Sequence, residues 1–277
     1  MNHLRDLPLG LYEKAVCLSL SWEEKLLLIN NAGFDFLEIC IDGEEPRIDR
    51  LYDGLSAKSL TGAVLNTGVP AFSMTLSANR KYPLGSEVES IRQKGIEVVK
   101  RAIDFAVIAG IRVIQLAPYC GGDERLELLD KYLFPSIEQC VAYAERWCVM
   151  LTFEAIDTQI MKSNLQVLPI MQKLDSPFFR IYADIGNLNA MGVDPEDDLK
   201  ACANSIVGVH IKDSKPHVLR DIPLGEGTVD FDKCFGVLNA LDYGGILAAE
   251  MWCHENPDFH QYLPVANRFL RQALSRY

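Results

Sequence analysis

The chain has 277 residues, carries a formal charge of −11, and is 49% hydrophobic and 23% charged. This composition predicts a globular α/β protein with a sizeable core, arranged as one domain over residues 1–277. The acidic balance argues against a nucleic-acid partner, because binding to a phosphate backbone needs a basic face. The sequence has no apolar run of membrane-spanning length and no secretory-leader pattern, so we expect a cytoplasmic protein with a small-molecule substrate and no membrane partner.

Eight cysteines are scattered along the sequence without a C-x-x-C pair, and several lie within apolar periodic segments. This pattern is typical of reduced core residues rather than of a disulfide framework. Two histidines near the C-terminus, His254 and His260, are interpreted as loop or helix-surface residues and not as metal ligands.

Apolar strands alternate with amphipathic helices along the whole chain. Ser21 and Glu24 form a capping box at the start of the first helix, and Gly68 and Gly110 mark the ends of two later helices. In chain order the predicted elements are strand 9–12, helix 21–32, strand 36–41, helix 54–67, strand 69–76, helix 88–109, strand 112–116, helix 127–147, strand 149–154, helix 164–174, strand 179–183, helix 195–204, strand 206–211, helix 231–241, strand 245–250 and helix 259–275.

This alternation predicts a parallel sheet, and eight strand–helix units favour closure into a (β/α)₈ TIM barrel over an open doubly wound sheet. The length is close to that typical of such barrels. Functional residues are therefore expected where the strands end, at the C-terminal face of the barrel.

Each of the last four predicted strands ends in an acidic residue or a histidine after an apolar run. These residues are Glu154, Asp184, His210 and Glu250. Three carboxylates at one barrel mouth repel one another and are costly to bury unless a cation lies between them. We therefore expect one divalent metal ion, with Mn²⁺, Mg²⁺, Co²⁺ and Zn²⁺ all compatible with oxygen ligands and one imidazole. Any one of these residues alone is explained equally well by a salt bridge, a helix cap or a satisfied core histidine.

The chain resembles, nearly from end to end, the L-ribulose-5-phosphate 3-epimerases of the xylose-isomerase-like TIM barrel superfamily. The motifs that carry the resemblance are LGLYEKA at 9–15, LSANRKYPLGSE at 76–87, GIRVIQLA at 110–117, DIGNLNA at 184–190, VHIKDSKP at 209–216, PLGEGTVDF at 223–231 and AEMW at 249–252. The resemblance implies that Glu154, Asp184, His210 and Glu250 are metal ligands. It also implies that the two glutamates are the catalytic acid/base pair.

The implied reaction interconverts L-ribulose 5-phosphate and L-xylulose 5-phosphate through an enediolate. Inversion at C3 removes a proton from one face of the carbon and returns one to the other face, so two carboxylates on opposite sides of the sugar are an economical arrangement. Glu154 and Glu250 are suited to this role because they lie on the fifth and eighth predicted strands, which two other strands separate.

Five further residues are predicted to contact the substrate. They are Arg220, Asn187, Arg80, Lys212 and Asp157. The loop over residues 212–227 offers cationic side chains and the backbone amides of 225–227 to a phosphate, with Arg220 the preferred residue. For each cation a solvated surface position is at least as plausible, and for Asn187 and Asp157 a loop cap or a supporting role is equally plausible.

Several alternatives remain open at this stage. An aldose–ketose isomerase uses the same enediolate chemistry at C1 and C2, and epimerases of unphosphorylated ketoses share the ligand set. An endonuclease-IV-like hydrolase is disfavoured, because its histidine-rich, basic mouth does not match a chain with five histidines and a net negative charge. The sequence is also compatible with a homodimer.

Overall fold

A computed structural model describes residues 3–122 and 125–277, and its strands form a closed barrel. All eight strands are parallel and pair with their neighbours in chain order, and the last closes the barrel against the first. The strands are β1 (Leu9–Tyr12), β2 (Phe36–Cys40), β3 (Ala71–Leu76), β4 (Val113–Leu116), β5 (Met150–Glu154), β6 (Phe179–Asp184), β7 (Ile206–Ile211) and β8 (Ile246–Ala249). The predicted (β/α)₈ barrel is confirmed.

Helices connect the strands and surround the barrel. The α-helices of the described residues are α1 (Trp22–Asn31), α2 (Ser56–Thr67), α3 (Glu89–Ala109), α4 (Phe134–Glu145), α5 (Leu168–Leu174), α6 (Ile185–Ala190), α7 (Pro195–Ala201), α8 (Phe231–Ala240) and α9 (Leu263–Leu274). The predicted capping box is present at α1, where Ser21 accepts from the backbone of Glu24 and the Glu24 side chain accepts from the backbone of Ser21. Among the described residues, no helix is both long enough and apolar enough to cross a membrane.

Several local features differ from the sequence prediction. The predicted helix over 127–147 begins as a π-helical turn (Leu129–Leu133) before α4, and the predicted helix over 259–275 begins as a 3₁₀ turn (Pro257–Tyr262) before α9. Helix α6 was not predicted. It forms because Asp184, the last residue of β6, caps it by accepting a hydrogen bond from the backbone N–H of Asn187 at 2.9 Å.

Side chains from the even-numbered strands form a packed layer in the barrel interior. The buried members of this layer are Phe36, Val113, Tyr182, Ile246 and Ala248. Two glycines on odd-numbered strands leave room for its aromatic rings. A Cβ at Gly10 would lie 2.2 Å from Phe36, and one at Gly208 would lie 2.4 Å from Tyr182. Such a packed layer is typical of TIM barrels, whose functional sites lie at the C-terminal face.

Candidate active site

Four consecutive strands bring acidic and histidine side chains to the C-terminal mouth of the barrel. Glu154 and Asp184 are the last residues of β5 and β6, His210 lies within β7 next to its end, and Glu250 follows β8. One carboxylate oxygen or ring nitrogen from each of the four lies within 4.8 Å of those from the other three. The structure therefore brings together the four residues that the sequence predicted as a metal site.

The imidazole of His210 is held between two carboxylates. Its Nδ1 lies 2.7 Å from Oε1 of Glu154, and its Nε2 lies 2.5 Å from Oε1 of Glu38 on β2. Burial opposes protonation of the ring, but Glu38 and Glu154 outweigh it and raise the pKa of His210 well above its ordinary value. Glu38 thus fixes the ring orientation in the way that carboxylates orient metal-binding histidines.

Glu38 was missed by sequence reasoning, although it is fully buried. It accepts hydrogen bonds from the hydroxyls of Ser73 at 2.6 Å, Thr75 at 3.0 Å and Tyr182 at 2.7 Å. The signal that could have found it is a single acidic residue inside the apolar strand FLEIC. A buried charge of this kind requires partners, and the histidine is one of them.

Lys212 supplies the internal positive charge of the cluster. Its Nζ lies 2.6 Å from Oδ2 of Asp184 and 2.7 Å from Oε2 of Glu250. Burial opposes ionisation of the lysine, but Asp184 and Glu250 outweigh it and raise its pKa. The residue predicted as a substrate contact is therefore also the partner of two candidate ligands.

The carboxylates of the cluster have different pKa values. Burial and the nearby charges of Asp184 and Glu250 raise the pKa of Glu154 to about 7, despite the opposing effect of His210. Burial, with a contribution from Glu250, also raises the pKa of Asp184. For Glu250 burial acts in the same upward direction, but Lys212 and His210 outweigh it and lower the pKa to about 2.

The donor set fits a divalent cation. Three carboxylates and one imidazole are ligands for hard or borderline divalent metals. Glu38 adds a fourth buried carboxylate, so the negative groups outnumber the cations Lys212 and His210 even when both are protonated. Burial is the largest cause of the raised pKa values of Glu154 and Asp184, and the neighbouring carboxylates add to it.

A pocket opens above this cluster, and all five predicted substrate contacts line it. They are Arg80, Asp157, Asn187, Lys212 and Arg220. Glu154 and Glu250 also line the pocket. Its wall includes Tyr12 and Trp252, whose ring centroids lie 6.1 Å apart. Tyr12 is the last residue of β1 and Trp252 lies three residues after β8, so the search of strand ends that found the acidic residues could also have found these two.

The predicted substrate contacts differ in how many of their polar atoms already have partners within the protein. Arg80 lies 3.8 Å from Asp157 and contacts the hydroxyl of Tyr119, which donates to Asp157 at 2.9 Å. Asn187 donates to the carbonyl of Ala155 at 2.9 Å, while its Oδ1 has no partner among the described residues. Arg220 is exposed and has its guanidinium 5.6 Å from the Trp252 ring, with no carboxylate partner in the described part of the chain. Arg220 is therefore the cation best placed to accept an anionic group.

One expectation about the loop after β7 is wrong. The backbone N–H groups of Gly225 and Gly227 donate to Asp213 at 2.8 and 2.9 Å, and that of Glu226 donates to the carbonyl of Pro223 at 3.0 Å. These amides therefore bind the protein's own acceptors and are not free to bind a phosphate. The physical reason is the buried Asp213 carboxylate, which needs donors of its own.

Comparisons with known proteins agree with this fold. Residues 26–273 match the family model described as the xylose isomerase-like TIM barrel. The chain is 40% identical, over 92% of its length and 90% of the relative's, to L-ribulose-5-phosphate 3-epimerase UlaE of Shigella boydii. It is 39% identical to the protein of the same name in Escherichia coli, again over 92% of the chain and 90% of the relative.

Solved structures share the fold at lower identity. A structure titled L-ribulose 3-epimerase has a TM-score of 0.81 and 17% identity, covering 98% of this chain and 95% of that one. A D-allulose 3-epimerase from Methylomonas sp. has a TM-score of 0.80 and 19% identity, covering 99% and 100%. The fold, the matched family model and the identity to the curated relatives together show that the chain belongs to the L-ribulose-5-phosphate 3-epimerase family of isomerases, within the xylose isomerase-like TIM barrels.

Proposed function

We propose that this protein is a metal-dependent 3-epimerase that interconverts L-ribulose 5-phosphate and L-xylulose 5-phosphate. The observation that carries the proposal is the convergence of Glu154, Asp184, His210 and Glu250 at the barrel mouth, beside a pocket that the two glutamates line. Both glutamates line that pocket, so both can reach a bound sugar. The names of the relatives that are about 40% identical support the choice of substrate.

The four converging residues would hold one divalent ion, either Mn²⁺, Mg²⁺, Co²⁺ or Zn²⁺. When bound, this ion would stabilise the negative charge that develops on the C2 and C3 oxygens after C3 loses its proton. Asp184 and His210 are assigned to binding the ion only. Glu38 holds the ring of His210 through Nε2 and leaves Nδ1 on the side of Glu154.

Glu154 and Glu250 are assigned as the acid and base. Lys212 keeps Glu250 ionised in the metal-free protein, and Glu250 lines the pocket, so it is assigned to take the C3 proton. Glu154 is assigned to return a proton to the opposite face because it also reaches the pocket; the rise in its pKa belongs to the metal-free protein, since a bound ion would hold it as a carboxylate. In the reverse direction the two residues exchange roles.

Arg220 is assigned to the phosphate of the substrate. It lines the pocket, it stacks near Trp252, and within the described residues no carboxylate neutralises it. Arg80 is a second candidate, although Asp157 already lies beside it. We expect Arg220→Gln to raise KM for the phosphorylated ketose about tenfold or more, in line with loss of one charge-assisted contact. KM for the unphosphorylated ketose should not change, and an equal change for both substrates would remove Arg220 from this role.

The proposed reaction is tested by proton exchange. The protein is incubated with L-ribulose 5-phosphate in D₂O, and proton NMR follows the signals at C3 and C1 with and without a chelator. The proposal predicts chelator-sensitive loss of the C3 signal together with formation of L-xylulose 5-phosphate. Exchange at C1 would instead indicate an aldose–ketose isomerase. Faster exchange on free L-ribulose than on the phosphate ester would indicate an epimerase of unphosphorylated sugars.

A further inference from the structure

A second cluster of metal-binding side chains lies outside the candidate active site. Cys17 lies in the segment after β1, Cys253 in the segment after β8, and His260 in the 3₁₀ turn Pro257–Tyr262. One ligand atom from each, two sulfurs and one ring nitrogen, lies within 4.8 Å of the other two. The cysteines are only 5% and 3% exposed, and His260 is half-buried. Residues distant in sequence therefore converge as a compact Cys₂His donor set.

The spacing of the three ligand atoms is close to that around a bound zinc ion. In tetrahedral zinc sites the metal lies about 2.0–2.3 Å from each sulfur or nitrogen, which places the ligand atoms roughly 3.5–4 Å from one another. Small side-chain movements therefore close the observed cluster onto an ion. Two thiolates and an imidazole favour a soft or borderline cation, in contrast to the oxygen-rich active-site cluster. The three donors leave a fourth tetrahedral position for water.

The backbone around the cluster holds its members in place. The N–H of Cys17 donates to Nε2 of His260 at 3.2 Å, so this ring nitrogen is unprotonated and its lone pair points towards Cys17, where a metal ion would replace the hydrogen bond. Burial lowers the pKa of His260, which favours the neutral ring that a metal requires. The N–H of Cys253 donates to the carbonyl of Lys14 at 2.8 Å and ties the two segments together.

We propose that Cys17, Cys253 and His260 form a second site for Zn²⁺. Binding forms two metal–sulfur bonds and one metal–nitrogen bond, breaks the hydrogen bond from Cys17 to His260, and releases the two thiol protons to solvent. No electron transfer is involved. Because both thiols must lose their protons to bind the ion, the affinity increases with pH as proton competition falls.

The site joins the segment after β1 to the segment after β8 at the rim of the barrel. The segments that it joins carry Lys14 and Trp252, and both line the active-site pocket. Zinc binding therefore fixes this wall of the pocket and stabilises the closure of β1 against β8. This inference does not depend on the reaction assigned above, because it rests on residues outside the active-site cluster.

Cobalt substitution tests the proposal, because thiolate–cobalt bonds absorb in the near ultraviolet and carboxylate–cobalt bonds do not. The full chain is titrated with Co²⁺ in the presence of a phosphine reductant. We expect a charge-transfer band whose amplitude corresponds to one cobalt–thiolate site, which saturates by two bound equivalents because the active-site cluster also takes Co²⁺, and which Zn²⁺ abolishes. The Cys17→Ser/Cys253→Ser double variant should lose the band, whereas Cys148→Ser, which alters an exposed cysteine, should keep it.

Two further variants keep the test informative. His260→Gln changes a half-buried side chain and is expected to weaken cobalt binding at the thiolate site at least tenfold without unfolding the chain. Asp184→Asn alters only the active-site cluster and should leave the thiolate band intact, so failure of either metal site is detected separately. Absence of the band in reduced wild-type protein, or its persistence in the double cysteine variant, would overturn the proposal.

Discussion

Two buried ionic clusters in this barrel have opposite charge balances. Near β1 and β2, the carboxylate of Glu13 binds Lys25 at 2.6 Å and both terminal nitrogens of Arg50 at 2.8 Å, and it accepts the N–H of Cys40 at 2.9 Å. Burial opposes ionisation of Glu13, but Arg50 and Lys25 outweigh it and lower its pKa to about 2. At the barrel mouth, by contrast, the pKa of Glu154 is raised to about 7 by burial and neighbouring acids.

The difference distinguishes a structural cluster from a candidate catalytic one. Glu13 is fully enclosed and has more cationic partners than it needs, so its cluster is complete within the chain. Glu154 lines a pocket and belongs to a group in which carboxylates outnumber cations, so its charge is not balanced within the cluster. Perturbed pKa values occur in both, and only the charge balance and the pocket separate them.

The largest effect is expected from neutralising Glu154. Glu154→Gln should lower kcat for C3 epimerisation by about 10²–10⁴-fold, because a proton-transfer group is lost. The free energy of unfolding should not fall, since a carboxylate under repulsion is replaced by a neutral amide. Activity assays and urea denaturation measure the two quantities. Glu138→Gln, which alters an exposed residue of α4, is the control and should change neither.

The matching change in the structural cluster should have the reverse outcome. Glu13→Gln should lower the free energy of unfolding by about 3–5 kcal/mol, because Lys25 and Arg50 lose their buried counter-charge. The kcat of the folded fraction should remain near that of wild type. Denaturant titration with an activity assay on the folded protein measures both. Lost kcat with unchanged stability would show that the two clusters are wrongly distinguished.

The two clusters should also respond to pH in opposite directions when the protein is metal-free. The pKa of Glu13 is lowered in the folded state to about 2 from an ordinary value of 4.5, so its contribution is complete above pH 4.5 and is lost as the pH falls towards 2. The pKa of Glu154 is raised to about 7, so its folded state prefers the protonated form and stability falls as the pH rises from 4.5 to 7.

Each of these effects amounts to about 3 kcal/mol, at 1.36 kcal/mol per pKa unit. Urea denaturation across pH in a chelating buffer, for wild type and the two glutamine variants, isolates each contribution. The difference in the free energy of unfolding between wild type and Glu13→Gln should shrink only in acid. The difference between wild type and Glu154→Gln should change only as the pH rises towards neutral. A shared pH dependence would contradict the comparison.

A smaller effect is expected from Glu38, which touches the mouth cluster only through His210. Glu38→Gln should lower the affinity for Mn²⁺ about 10–100-fold, because the imidazole loses the carboxylate that orients it. Isothermal titration calorimetry measures this change. Ser73→Ala removes one hydrogen bond to Glu38 and leaves the histidine contact intact, so it is the matched control. Equal losses in both variants would assign Glu38 to general stability instead of to the metal site.

The sequence was sufficient to predict the positions of the four mouth residues. In a barrel of parallel strands the C-terminal ends meet at one face, so an acid or histidine that ends an apolar run is placed there by topology alone. Glu154, Asp184, His210 and Glu250 all follow this rule. Helix boundaries such as the π-helical turn before α4 depend on local packing that periodicity does not encode.

Features that depend on pairing across the barrel could not be predicted in the same way. The contact between Glu38 and His210 joins β2 to β7 through the barrel interior, and no local pattern specifies that pair. The cluster of Cys17, Cys253 and His260 joins segments from the two ends of the chain. Likewise, the amides of Gly225 and Gly227 were expected to be free because the buried acceptor, Asp213, could not be identified from spacing.

The central claim is that one divalent ion lies among the four mouth residues, between the two glutamates that act on C3. Anomalous diffraction at the manganese edge, from crystals grown with Mn²⁺, tests it most directly. The account predicts an anomalous peak within coordination distance of Glu154, Asp184, His210 and Glu250. A mouth without such a peak, in which Lys212 still bridges Asp184 and Glu250, would contradict it.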